Sequence, residues 1–165
     1  MQLTSFILPI LSLASALTAS PILEPRAGPA SNFFTVTDFY DSGVPHSLSS
    51  YVSFNVKGPW PSFTAYCTAS SSVVPTIATA PFPTKCTGKP GVAFGLEYKT
   101  GVGYVLTIMH RYRWDQTVRL GTIWVGTDVQ TRVNPVNPNG NVQYLNYSSS
   151  FTVPFSEYTQ EKKVR

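Results

Sequence analysis

The chain has 165 residues with a formal net charge of +4, because Lys and Arg number 12 and Asp and Glu number 8. Charged residues make up only 12% of the sequence, against about 25% in typical soluble domains. This mild positive excess excludes the concentrated basic stripe of a nucleic-acid-binding protein. We expect no nucleic-acid partner.

The N-terminus predicts a signal peptide over residues 1–20. Its apolar stretch, Phe6–Leu17, is too short to cross a bilayer core of roughly 30 Å. It ends in small residues, among them Ala16, Ala19 and Ser20, which suit cleavage by a signal peptidase. We therefore expect a secreted, extracellular protein with no membrane association.

The remainder divides into three segments. Residues 21–30 predict a short pro-segment or linker, 31–155 a single secreted domain, and 156–165 a flexible tail without apolar periodicity.

The domain has the pattern of an all-β protein, with short runs of β-branched and aromatic residues broken by Gly, Pro and Asn. Val52, Phe54 and Val56 alternate with polar residues, so one face of that strand must be buried. The pattern predicts an antiparallel β-sandwich or barrel of about seven to nine short strands. Residues 70–85, rich in Ser and Pro, are expected to form a long connection. The predicted strands are Phe33–Tyr40, Tyr51–Lys57, Ser62–Ala69, Val92–Lys99, Gly103–Tyr112, Thr117–Val125 and Phe151–Phe155, with two weaker ones at Val129–Val133 and Val142–Tyr147.

Cys67 and Cys86 are the two cysteines of the chain. In an oxidising compartment an isolated pair is most simply one disulfide. A metal site would need more ligands than the two histidines, His46 and His110, and no Cys-x-x-Cys motif accompanies them. We predict a disulfide and expect no metal and no cofactor.

Catalytic motifs are scarce. No Gly-x-Ser-x-Gly elbow occurs, and the acidic residues are scattered over predicted strand ends and loops. One catalytic alternative is a small secreted ribonuclease, because general acid–base cleavage of RNA needs two proton-transferring groups and cations for the phosphate. Its residues would be His46, Glu97, His110, Arg111 and Arg113. The sequence favours a protein that is not an enzyme.

The segment from His110 to Asp115 is the densest functional pattern. On a strand, His110, Tyr112 and Trp114 would share one face and Arg111 and Arg113 the other. Such residues stack on rings and fork onto carboxylates, which makes these five a candidate partner-binding patch. The alternative is a strand end whose aromatic residues complete the core while the arginines extend to water.

Asn146, with Tyr147 and Ser148 behind it, forms an N-glycosylation sequon. We therefore predict Asn146 as a glycan attachment site.

Several segments resemble fungal secreted proteins of the Alternaria-major-allergen-like family. They are Phe34–Phe39, Pro45–Ser47, Val52–Val56, Tyr66–Ala69, Val92–Leu96 and Gly103–Ile108. The resemblance implies a β-barrel or β-sandwich secreted by a filamentous fungus, with relatives that act as effectors or elicitors by engaging host defence proteins. The first disulfide of the family maps onto Cys67 and Cys86. Its second disulfide and its dimer-forming cysteine have no counterpart, so we expect a monomer rather than a covalent dimer.

The favoured function is a non-enzymatic fungal secreted effector or elicitor that interacts with a host extracellular defence protein. A carbohydrate- or small-ring-binding cell-wall module is the first alternative, with a glycan as its partner, and the ribonuclease is the second.

Overall fold

A computed structural model describes residues 32–44, 49–59, 62–72, 77–112 and 117–159. The predicted signal peptide and pro-segment, as well as His46, Arg113 and Trp114, lie outside these residues. The described part contains ten β-strands. They are β1 Phe33–Gly43, β2 Ser50–Gly58, β3 Phe63–Ser71, β4 Ala80–Lys85, β5 Val92–Lys99, β6 Gly103–Arg111, β7 Thr117–Gly126, β8 Val129–Arg132, β9 Val142–Leu145 and β10 Phe151–Thr159.

The strands form one antiparallel sheet in the order β3-β2-β1-β10-β7-β6-β5-β4, with β8 and β9 attached to β1 through a bridge between Gly43 and Gln143. The sheet curls into a nearly closed barrel, which confirms the predicted all-β antiparallel class. A single short 3-10 turn at Pro138–Gly140 interrupts the strands of the described residues. Among those residues, no helix is long and apolar enough to span a membrane.

Alternating side chains fill the barrel from opposite walls. Val52, Phe54 and Val56 of β2 are fully buried, as the sequence pattern predicts. Phe54 meets Phe94 of β5 edge-on, with ring centroids 5.1 Å apart. Each such side chain stabilises the fold by about 1.5–3 kcal/mol relative to exposure. The described interior is therefore a packed hydrophobic core.

A β-bulge in β1 changes which residues face the core. The pairing with β2 shifts between Thr37 and Tyr40, and Asp38 has a φ of 56°. One extra residue reverses the alternation downstream, because side chains in a strand point to opposite faces in turn. Phe39 and Asp41 consequently face inward, while Tyr40 is exposed.

Strand β4 corrects the expectation that residues 70–85 form only a connection. Pro81 and Pro83 lie within it, and proline cannot donate a hydrogen bond to a neighbouring strand. The structure accommodates them because β4 pairs regularly with β5 alone and its register shifts between Ala80 and Thr84. Strand prolines of this kind hide an edge strand from sequence patterns.

Strand β10 runs four residues beyond its predicted end at Phe155. Ser156 to Thr159 pair with residues 117–120 of β7. This part of the segment predicted as a flexible tail is thus a strand of the barrel wall. The residues from 160 onward lie outside the described part.

The two ends of the sheet, β3 and β4, meet along a seam. The Cys67–Cys86 disulfide crosses this seam with a Cα–Cα distance of 4.3 Å, which confirms the predicted bridge. Beside it, Tyr66 and Thr87 exchange backbone hydrogen bonds of 3.0 and 2.8 Å. The barrel is therefore closed by one covalent link and one bridge rather than by a full ladder.

Candidate functional site

Strand β6 divides the predicted partner-binding patch between the two faces of the barrel wall. His110 lies on the same face of β6 as Leu106 and Ile108 and is buried, 1% exposed. Tyr112, just beyond the strand, is 7% exposed. Arg111, between them, is exposed. Of the three patch residues that the structure describes, Arg111 alone reaches the outer surface.

His110 is a core residue between two aromatic rings. Its ring centroid lies 4.3 Å from that of Phe63 and 4.2 Å from that of Tyr112. Burial, together with the nearby charges of Lys89 and Arg119, lowers the pKa of His110 to about 4. Nδ1 is buried without a hydrogen-bond partner among the described residues. The imidazole is therefore neutral near pH 7 and shielded from any substrate.

The ribonuclease residues are not brought together. Glu97 is exposed on the outside of β5, opposite Val105 of β6. His110 lies on the inside of the same wall, opposite Val92. His46 and Arg113 lie outside the described residues. The described part of this set thus faces two different environments.

A groove at the end of the seam carries two cations. It has a volume of about 410 Å³ and lies beside the C-terminal ends of β4 and β6. Its walls include the apolar side chains of Pro83, Pro90 and Met109, and the cations are Lys85 and Arg111. We call this feature the basic groove.

Gly91 fixes the backbone beneath the basic groove. Its φ is +84°, a conformation that L side chains rarely adopt. The amide of Arg111 donates to the Gly91 carbonyl at 2.9 Å. A Cβ at position 91 would lie 2.3 Å from the carbonyl oxygen of Arg111. The close contact of these two backbones needs glycine, and it fixes the backbone from which the Arg111 side chain projects.

The groove carries positive charge that no carboxylate among the described residues pairs with. Neither Lys85 nor Arg111 forms an ion pair with another described residue, whereas Arg119 is paired with Glu157. No carboxylate side chain lines the groove in the described part of the chain. A guanidinium in this position can donate two parallel hydrogen bonds to a carboxylate. In addition, the described residues contain no group of three or more His, Cys, Asp or Glu side chains able to hold a metal ion.

Asn146 is exposed in the loop after β9. Its Nδ2, the atom that would carry a glycan, donates to Asp128 Oδ2 at 3.3 Å. The position is open to solvent, and glycosylation there remains a prediction.

The described residues define a small all-β barrel protein with a cationic groove on its outer surface. No protein-family model matches the chain, and no curated protein matches it in sequence. Among solved structures, it is similar to two crystal structures of the Alternaria alternata major allergen Alt a 1. One has a TM-score of 0.53 at 11% identity and covers 85% of this chain and 99% of the allergen chain. The other has a TM-score of 0.50 at 12% identity, with coverages of 79% and 97%.

These matches confirm the predicted resemblance at the level of the fold. The chain has the barrel architecture of the Alternaria allergen, and it spans nearly the whole length of that protein.

Proposed function

We propose that the protein is a secreted, non-catalytic fungal effector or elicitor that binds an acidic extracellular protein of a host through the basic groove. The observation that carries this proposal is the pair of cations, Lys85 and Arg111, beside an apolar floor. This floor consists of the side chains of Pro83, Pro90 and Met109. Interfaces gain much of their affinity from a few arginine and aromatic residues in desolvated positions. An acidic partner would neutralise both cations and cover the floor.

Three features support secretion and a role outside the cell. The first is the predicted signal peptide, and the second is the disulfide between Cys67 and Cys86, a bond that persists in oxidising compartments. The third is the barrel fold, shared with the Alternaria allergen. The host role follows from the sequence resemblance to effectors and elicitors of that kind.

The burial of His110 supports a non-catalytic role. A general base must come within hydrogen-bond reach of the substrate proton, and this imidazole is 1% exposed. Binding on the surface fits the structure better than turnover.

A charge-reversal experiment tests the groove. The mature protein, the variant Lys85→Glu with Arg111→Glu, and the control Lys57→Glu with Lys99→Glu are used as baits in plant apoplastic fluid. Both variants change the net charge by the same amount, and the control sites lie outside the groove. A captured acidic protein is then purified, and its Kd for each bait is measured by calorimetry at low and at physiological salt.

We expect the groove variant to bind at least tenfold more weakly, because two like-charge contacts replace two attractive ones, and the control to stay within about twofold. Equal weakening by both variants would show attraction to net charge alone. If the groove variant binds with the affinity of the unmodified protein, the interface lies outside the basic groove. Either result overturns the proposed site.

A further inference from the structure

The outer surface of β1, β2 and β3 carries exposed tyrosines surrounded by hydroxyl and amide side chains. Pairing fixes the layout, because Ser53 of β2 lies opposite Tyr40 of β1 on one side and Thr68 of β3 on the other. Directly opposed residues of antiparallel strands share a face. We call this surface the tyrosine face. Its central residues are Tyr40, Tyr51, Ser53, Asn55, Tyr66 and Thr68.

Tyr51 and Tyr66 form a continuous strip along the strands. Tyr51 pairs with Ser70 and Tyr66 with Asn55, so the two tyrosines are four positions apart, or about 14 Å at 3.4 Å per residue. Their hydroxyl oxygens nevertheless lie 2.8 Å apart. The two side chains must therefore extend toward each other along the surface. The hydroxyl groups of Thr68 and Tyr66 lower the pKa of Tyr51, which places its oxygen within a hydroxyl cluster.

The rings are open to solvent although the core beneath them is complete. Tyr40 is 53% exposed, Tyr51 37% and Tyr66 41%. The residues between them in the sequence of β2, Val52 and Phe54, are fully buried on the other face of the sheet. The tyrosines thus add nothing to core packing, and their ring surfaces are available to a ligand.

The tyrosine face carries few charges, and one of them, the carboxylate of Asp38, adjoins its central residue Asn55. Lys57 lies toward one end, at the level of Thr35 and Thr64. Asp38 lies at the bulge, where its Oδ2 accepts a hydrogen bond of 2.9 Å from Asn55 Nδ2. Hydroxyl groups dominate the rest of this face, at Tyr40, Tyr51, Ser53, Tyr66 and Thr68. It differs in this respect from the basic groove, where Lys85 and Arg111 are the polar side chains closest to the apolar floor.

This composition selects the chemistry of the ligand. A nucleic acid needs several cations for its phosphates, and an acidic protein surface needs at least one. Tyrosine and serine hydroxyls both donate and accept hydrogen bonds, as sugar hydroxyls do. Aromatic rings bury apolar surface well, and the C–H face of a sugar ring offers such a surface without charge.

We propose that the tyrosine face binds an uncharged polysaccharide whose chain runs along the strands. Tyr51 and Tyr66 stack on sugar rings, and Ser53, Asn55 and Thr68 exchange hydrogen bonds with sugar hydroxyls. This site is separate from the basic groove. A protein with both sites would be held on a cell-wall glycan while the groove engages its partner.

Affinity electrophoresis of the secreted protein tests this site. Gels contain laminarin, hydroxyethyl cellulose or arabinoxylan as uncharged probes, and polygalacturonate as a charged one. We expect retardation by at least one uncharged probe. Tyr51→Ala with Tyr66→Ala should raise the apparent Kd at least tenfold. Tyr51→Phe with Tyr66→Phe keeps the rings and loses the hydroxyls, so it should give a smaller increase, of about threefold.

The control Lys85→Ala with Arg111→Ala should bind the uncharged probe as the unmodified protein does, so failure here and failure of the groove are distinguishable. Equal melting temperatures verify that the folds are intact, and the phenylalanine variant serves where the alanine variant unfolds. The proposal is overturned by migration unaffected by all three uncharged probes. It is equally overturned by retardation that survives loss of both tyrosines, or by a preference for polygalacturonate.

Discussion

The chain entering β4 and the chain leaving it are held to the barrel by different means. At the entry, the amide of Ala78 donates to Asp41 Oδ1 at 3.3 Å, and Asp41 is 4% exposed. At the exit, Cys86 is covalently bonded to Cys67, and its amide donates to the Val92 carbonyl at 3.1 Å. Val92 in turn pairs with His110. A buried titratable group therefore lies at each end of this strand, but only one end has a covalent attachment.

The same physical cause moves the two titrations in opposite directions. Burial raises the pKa of Asp41 to about 8, opposed in part by the hydrogen bond from Ala78. Burial, with the nearby charges of Lys89 and Arg119, lowers the pKa of His110 to about 4. Both groups are neutral in the fold because a low-dielectric interior disfavours either charge. The barrel therefore has an alkali-sensitive group at one end of β4 and an acid-sensitive group at the other.

Loss of the disulfide should have the largest effect on the difference in stability between the two ends of β4. Cys67→Ala with Cys86→Ala should lower the free energy of unfolding by about 2–5 kcal/mol, the range for a native bridge in a small secreted domain. Because the bridge holds the exit of β4, hydrogen exchange should accelerate most at the paired amides of Tyr66 and Thr87. Chemical denaturation and exchange mass spectrometry measure the two effects.

The control for this variant is the entry of β4. The Ala78 amide should gain less exchange than the Thr87 amide, since its bond to Asp41 is untouched. Uniform acceleration at both ends would show that the seam opens as one unit and would break the comparison.

Asp41→Asn should have the second largest effect. The unfolded carboxyl has a pKa near 3.8 and the folded one near 8, so unfolding releases a proton between these values. Stability is therefore fully present below pH 3.8 and is lost as pH rises toward 8, by at most about 1.4 kcal/mol per pH unit. Asn imitates the protonated carboxyl, so the variant should be more stable at pH 8 by about 1–3 kcal/mol. Denaturation at pH 5, 6.5 and 8 measures this difference.

The matched control is Asp38→Asn, which changes an exposed carboxylate in the same strand. It should not reproduce the gain in stability at pH 8 that we expect from Asp41→Asn. If Asp41→Asn and the unmodified protein lose stability in parallel between pH 6.5 and 8, Asp41 ionises in the fold without the expected penalty.

The alternation of Val52, Phe54 and Val56 in β2 made the buried face of that strand predictable. His110 is two residues from Ile108 and four from Leu106, so on a strand all three side chains point to the same face. This spacing is the sequence signal that identifies His110 as a core residue. Arg111 of the predicted partner-binding patch also lines the basic groove, and that patch stays a prediction. Lys85 was hidden because it belongs to the proline-containing strand β4.

Other features depend on geometry that one sequence does not display. The burial of Asp41 follows from the bulge at Asp38, since a regular strand starting with Phe34 and Val36 inside would place position 41 outside. The tyrosine face requires the register of three strands, which brings Tyr51 and Tyr66 together from 15 residues apart. Long-range pairing of this kind is set by the whole barrel.

His110→Phe should have the smallest effect and completes the comparison. Unfolded histidine has a pKa near 6.5 and the folded one near 4, so unfolding takes up a proton between these values. The contribution is present above pH 6.5 and is lost as pH falls through 4, with a slope below that of one full proton, about 1.4 kcal/mol per pH unit. Phenylalanine keeps the ring between Phe63 and Tyr112 and removes the unpartnered Nδ1.

The free energy of unfolding of the variant should therefore match that of the unmodified protein at pH 7 and exceed it at pH 4.5, as measured by urea denaturation at both values.

In the unmodified protein the opposing contributions of Asp41 and His110 to stability overlap between pH 4 and 6.5 and partly cancel. Its stability should therefore vary little there and decline only above pH 6.5. Removing His110 alone should expose the descending contribution of Asp41 across the whole range. Removing both, with Asp41→Asn and His110→Phe, should flatten the profile from pH 4 to 8. A double variant that keeps the slope of the unmodified protein would place the pH dependence in other groups and end the assignment of one sensor to each end of β4.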